Sequence, residues 1–161
     1  MTASHERPIP IDRYVTRGRV IMLGKICIRP VVTVSAQNTV GHAARAMRAR
    51  NVGALVVVNA GRPIGMLTDR DIAVEVVAMG MDPDSTRVGD VMRKKPVTIQ
   101  EDRGILDAAK TFARTGVRRL PVVSAKGVLV GVIAVDDLFI LLGNELGHMA
   151  GALSAGLRKA S

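Results

Sequence analysis

Thr68, Asp69, Arg70 and Asp71 stand together in "GMLTDRDI" (65–72), directly after an apolar run. That set of side chains suits a sugar phosphate. A carboxylate accepts two hydrogen bonds at once, as a ribose diol offers them, and a threonine hydroxyl donates or accepts. An arginine presents a forked donor to phosphate. Where a strand turns into a helix, the first backbone N–H groups are unpaired and favour anions. The same residues also suit a structural task, with Thr68 or Asp69 as a helix N-cap and Asp71 as a partner of the helix dipole. A related octapeptide, "GVIAVDDL" (131–138), keeps Asp137 but has Ala134, Val135 and Asp136 in place of Thr68, Asp69 and Arg70. A hydroxyl and a cation are lost and a carboxylate is gained, so phosphate binding there is expected to be weaker or absent.

Other chemistries lack support. Cys27 has no cysteine partner, which rules out an intrachain disulfide, and it reads as a packing residue. His5, His42 and His148 are scattered and share no metal-ligand spacing with Cys27. No nucleophile–base pair, phosphate-binding glycine loop or CxxC is found, so no enzyme is expected.

The elements that must position these residues come in two copies. "PVVTVSAQNTVGHAARAM" (30–47) lies over "PVTIQEDRGILDAAKTF" (96–112), and "NVGALVVVNAGRPIG" (51–65) over "GVRRLPVVSAKGVLVG" (116–131). Upstream, "LGKIC" (23–27) lies over "VGDVM" (88–92), so Cys27 matches Met92. Each copy predicts a short strand (31–34; 97–99), then an amphipathic helix. Its apolar positions are Val40, Ala43, Ala44 and Met47 in the first copy, and Ile105, Ala108, Ala109 and Phe112 in the second. Asn38 or Thr39, and Asp102, are the expected N-caps. Two strands follow (54–58 and 63–67; 120–123 and 128–134), joined by turns at "NAGR" and "SAKG". A second helix opens at Asp69–Asp71 or Asp136–Asp137, the first ending at Gly80.

The fold expected is α/β (α+β): two β-α-β-β-α repeats of which neither buries its own face well alone. The divisions are a basic extension (1–22), repeat one (23–80), a polar linker (81–87), repeat two (88–146) and a C-terminal helix or tail (147–161). Hydrophobic residues make up 48% of the 161, with almost no aromatics, so the core is aliphatic.

Paired in this order, "GMLTDRDI" after "ALVVV" and "GVIAVDDL" after "LPVV" resemble the tandem cystathionine β-synthase (CBS) domain pair, or Bateman module, from about Leu23 to Leu146. "LTDRDI", "DPDSTRVGDVM" and "VRRLPVV" are similar to stand-alone bacterial two-CBS proteins. The resemblance implies pseudo-twofold symmetry, a disc-like homodimer and a regulatory, non-catalytic role. It implies an adenosine nucleotide (AMP, ADP or ATP) bound between the repeats, an energy-sensing role and an unknown regulated partner protein. Some members bind S-adenosylmethionine, NAD-type molecules or cyclic dinucleotides. Carried onto this chain, Thr68 and Asp71 contact ribose and phosphate, Thr33, Val34, Thr98 and Ile99 lie on the adenine side, and Gly53, Ala54, Leu55, Arg118, Leu120 and Pro121 read the base mainly through backbone. Arg118 and Arg119 are within reach of a phosphate, and Asp137 is the second copy's counterpart of Asp71.

The net charge of +9 leaves a second class open. Arg7, Arg13, Arg17 and Arg19 crowd the leading segment, which suits nucleic acid, with the repeats as a scaffold. That arm carries only Tyr14 as an aromatic and matches no reading motif. Gly143, Gly147 and Gly151, spaced by four, suit either close approach of two helices in a dimer or a fraying helix. No signal segment opens the chain, and no apolar run approaches the ~20 residues of a membrane span. A cytoplasmic location with no membrane partner is expected.

Overall fold

In the computed structural model, which describes residues 22–159, two β-sheets are related by the sequence repeat. The first has the order β1 (Thr33–Val34), β2 (Ala54–Asn59), β3 (Arg62–Thr68), β4 (Arg93–Lys94). The second has the order β5 (Ile99–Gln100), β6 (Arg119–Val123), β7 (Leu129–Ala134). Both begin with a parallel pair and continue with an antiparallel hairpin. Thr33 faces Val56 as Ile99 faces Val122, and Ala54 faces Thr68 as Arg119 faces Ala134. In "NAGR" both Ala60 and Gly61 adopt positive φ, 48° and 73°, the twist a two-residue hairpin needs.

Helices α2 (Val40–Arg50) and α5 (Ile105–Thr115) turn the expected stripes inward. Val40, Ala43 and Met47 are buried, as are Ala108 and Phe112. Thr39 caps α2, its Oγ1 accepting from the His42 amide at 3.2 Å. Asp102 does not cap α5. A turn closed by the Arg103 N–H on the Gln100 carbonyl leaves Asp102 ahead of the helix, and the Asp107 carboxylate accepts from Gly104 N instead, at 3.3 Å.

The leading segments are exchanged between repeats. Helix α1 (Leu23–Ile26) packs in the second core with Ala108, Phe112, Leu120 and Ile133. Its Leu23 and Gly24 amides donate to the carbonyls of Arg103 (2.8 Å) and Glu101 (2.9 Å). Helix α4 (Val88–Val91) does the same for the first core: Val88 packs with Val34, Ala43, Leu55 and Leu67, and β4 runs beside β3. Gly65 and Gly131, mid-strand in the two hairpins, make these crossings possible. A Cβ at Gly65 would collide with the Met92 sulfur, and one at Gly131 with the Cys27 sulfur.

The linker 81–87 folds onto the start of α2, where the Gly41 amide donates to the Pro83 carbonyl at 2.8 Å and the Val40 amide to Thr86 at 2.9 Å. Helix α3 (Asp69–Ile72) continues as a π-helical segment to Val77 and closes at Gly80, φ 66°. Helix α6 (Val135–Lys159) runs without a break past position 147. No helix among the described residues is long and apolar enough to cross a membrane. Val77 and Met79 after α3, and Phe139, Leu146 and Met149 on α6, leave large apolar side chains exposed.

Candidate ligand-binding site

The β2–β3 register sets the site. Because Ala54 faces Thr68, the chain emerging from β3 passes over the start of β2, and the Asp69 amide donates to the Gly53 carbonyl at 3.1 Å. A Cβ on Gly53 would stand 2.8 Å from the Asp69 carboxylate, so a side chain there would displace that carboxylate. Gly53, Ala54, Thr68, Asp69 and the exposed Arg70 therefore gather at one end of the first sheet.

Thr68 and Asp71 close on each other. The Thr68 amide donates to Asp71 Oδ2 at 3.0 Å, the Thr68 hydroxyl donates to the same oxygen at 2.7 Å, and the Asp71 amide donates to Thr68 Oγ1 at 3.1 Å. This is a reciprocal capping box at the start of α3. The remaining Asp71 oxygen, Oδ1, accepts from Arg93 Nε at 3.0 Å. Asp71 is only 4% exposed, while the Arg93 side chain is 75% exposed. Burial alone raises the Asp71 pKa, but the hydrogen bonds from Thr68 and Arg93 and the Arg93 charge outweigh it and hold the carboxyl below its ordinary value. A cavity of about 390 Å³ opens beside this pair, bordered by Glu75, Met79, Asp90 and Val91.

The second site has a different charge arrangement. The Val135 amide donates to the Arg118 carbonyl at 3.0 Å, repeating the Asp69–Gly53 bond. With Val135 in place of Asp69, a side chain fits at position 118, and Arg118 pairs with Asp136 at 3.7 Å, both exposed. The cation that copy one carries at Arg70 thus moves to the residue just before β6. Asp137 Oδ2 accepts from the Ala134 amide at 2.7 Å. Burial, aided by the neighbouring Asp136 charge, raises its pKa against the opposing Ala134 hydrogen bond and Arg119 charge. Ile28 stands at the position equivalent to Arg93, so among the described residues Asp137 has no counterpart of the Asp71–Arg93 ion pair.

The remaining residues named from the sequence separate. Val34, Leu55, Ile99, Leu120 and Pro121 are buried in the two cores, leaving backbone as what they can offer a ligand. Thr33 lies exposed on the edge strand β1. Thr98 and Ile99 border a separate cavity of about 550 Å³ against α5, away from Asp137. Arg93 was missed by the repeat alignment, because the residue sits in an exchanged segment. Among the described residues no group of three or more His, Cys, Asp and Glu is placed to hold a metal.

The two hairpins, their exchanged leading segments and the strand-to-helix carboxylates define a tandem β-α-β-β-α pair. The CBS domain model matches residues 23–78 and 88–144, and the chain belongs to the CBS domain family. It is 35% identical over 121 residues to an uncharacterised protein of Methanopyrus kandleri, covering 74% of this chain and 62% of that one. It is 42% identical over 110 residues to the CBS domain-containing protein YhcV of Bacillus subtilis, covering 68% and 77%. Among solved structures, a CBS domain protein of Pyrobaculum aerophilum complexed with AMP superposes with a TM-score of 0.66 at 28% identity, over 73% of this chain and 89% of that one.

Proposed function

We propose that this chain is a non-catalytic regulatory module that binds an adenosine nucleotide at the Gly53–Thr68–Asp71 end of the first sheet and signals its occupancy to a partner protein. The observation that carries the reading is the Ala54–Thr68 register. It brings the Gly53–Ala54 backbone, the Thr68–Asp71 pair and the exposed Arg70 to one end of the first sheet. The AMP complex of the Pyrobaculum relative supports the ligand class.

In this reading the Asp71 carboxylate accepts from the ribose diol, and Arg93 gives up its bond as it does so. Arg93 belongs to β4, the strand that ties repeat two's leading segment to repeat one. Ligand binding then shifts the population of a cross-repeat contact, and occupancy at one repeat is felt by the other. AMP, ADP and ATP share the adenosine part that this geometry addresses. The second copy, with Asp136 in place of the phosphate-facing arginine, contributes weaker binding or structure alone. Two copies associate as a disc through the exposed apolar faces of α6 and of the π-helical segment after α3, where Phe139 and Val77 are 71% and 70% exposed.

A thermal-shift panel of AMP, ADP, ATP, S-adenosylmethionine, NADH, cyclic di-AMP and GTP tests the ligand class. A ligand at one hundred times its Kd adds about 2.7 kcal/mol, a shift of several degrees. Stabilisation by an adenosine ligand without stabilisation by GTP is the expected result.

A further inference from the structure

We propose that α6 pairs antiparallel with α6 of a second copy of this chain, along the seam Leu142, Leu146, Met149 and Leu153. This rests on the association proposed above, in which Phe139 takes part, and names the element at its twofold axis and the direction of that element. Helix α6 has 25 residues, and the family match stops at 144. Leu138 and Leu141 still pack in the second core. From 146 to 151 every residue is exposed, so among the described residues nothing covers any side of that stretch. Glycine weakens a helix interior, and this helix carries Gly143, Gly147 and Gly151. A Cβ on any of the three would meet nothing within 4 Å, so packing within the described chain does not account for them. A short helical stretch open on all sides is marginal in water, and this one needs a cover.

The seam and the charges identify the cover. Leu142, Leu146 and Met149 are 44%, 66% and 67% exposed. They follow Phe139, and the sequence continues to Leu153, so the spacings alternate between three and four as in a coiled-coil seam. A lipid surface does not fit. A helix that lies on one carries Lys and Arg opposite its apolar face, whereas Glu145 is the only charged residue between Leu138 and Leu157. The helix is acidic where it begins, at Asp136 and Asp137, and basic where it ends, at Arg158 and Lys159. The Asp136 side chain stays 64% exposed beside Arg118. A second copy laid in the reverse direction sets each end against its opposite charge, and a parallel copy would set like against like. A twofold axis between Gly147 and His148 satisfies the seam and the charges together. In that register Leu146 meets the partner's Met149, Leu142 the partner's Leu153, and Asp136 the partner's Lys159, each contact made twice. Phe139, the bulkiest residue of the stripe, then meets the partner's Gly156, which leaves it room.

Light scattering on the eluting peak, over a range of concentrations, compares the full chain with Leu146→Asp/Met149→Asp. A wild-type dimer is expected, with dimerisation weakened about a hundredfold or more in the variant. A variant that dimerises as well as the wild type would overturn this pairing and leave the association through the repeats standing. A wild type that stays monomeric, its seam left to another protein, would overturn both. Direction is read by disulfide formation between Leu142→Cys and Leu153→Cys copies, with Cys27 buried and out of reach. Cross-linking only when the two variants are mixed is the expected result. Cross-linking of either variant with itself, or none in the mixture, would overturn the antiparallel pair. Should the aspartate variant misfold, Leu146→Ala/Met149→Ala carries the same comparison.

Discussion

Arg93 Nε donates to Asp71 Oδ1 at 3.0 Å, so a cation of one repeat's leading segment holds the strand-to-helix carboxylate of the other repeat. In the proposed function, ligand and Arg93 compete for the same oxygen. Arg93→Ala is expected to raise affinity for adenosine several-fold, by removing that competitor. Because Arg93 is largely exposed, the stability cost is small, about 1 kcal/mol or less. Calorimetric titration with the nucleoside, which lacks phosphates for Arg93 to meet, reads the effect. Unchanged affinity would show that the pair does not gate the site.

The two equivalent carboxylates should respond to pH with opposite sign. Asp71 has its pKa lowered on folding, so its contribution is fully present above about 3.8, the ordinary value, and is lost as pH falls through the folded-state pKa. Asp137 has its pKa raised, so the folded protein holds the extra proton, and stability falls as pH rises from 3.8 through the folded-state value. Asp71→Asn should therefore lose its disadvantage against the wild type in acid. Asp137→Asn, whose amide oxygen still accepts from Ala134, should gain on the wild type as pH rises. Urea midpoints across a pH series distinguish the two, and parallel curves would contradict the assignment.

Gly65 and Gly131 are equivalent, yet Gly131→Ala should cost more. At Gly131 the new methyl meets Cys27, whose Cβ would stand 2.8 Å away and has no flexible stem to yield. At Gly65 it meets the end of the Met92 side chain, which repacks readily. Overpacking of this kind costs about 1–3 kcal/mol. Equilibrium unfolding should place Gly131→Ala near the top of that range and Gly65→Ala near the bottom.

If the π-helical segment after α3 and helix α6 form the dimer surface, Val77→Lys together with Phe139→Glu should yield a monomer with an unchanged circular dichroism spectrum. Light scattering on the eluting peak reads the mass directly. A variant that stays dimeric would place the interface elsewhere.

Much of this architecture was legible in the sequence because it is local and repeated. The stripe Val40, Ala43, Met47 and its echo at Ala108 and Phe112 fix both helices, and the hairpin turns mark both strand pairs. The exchange of leading segments was not legible. "LGKIC" and "VGDVM" precede their own repeats in sequence, and β4 is two residues long, too short for any periodicity to name its partner. The one sequence trace of the exchange is a glycine inside each hairpin, at Gly65 and Gly131, where another backbone crosses. The Thr68–Asp71 pair was visible as a motif, but its dependence on Arg93 required the long-range pairing of β3 with β4.

The most direct test is calorimetric titration of AMP into the wild-type chain and into Asp71→Ala. The account predicts saturable binding to the wild type and its loss in the variant. The variant remains folded, about 1–2 kcal/mol less stable for want of its helix cap and the Arg93 bond. Equal AMP affinity in the two proteins would contradict the central claim that Asp71 holds the ligand.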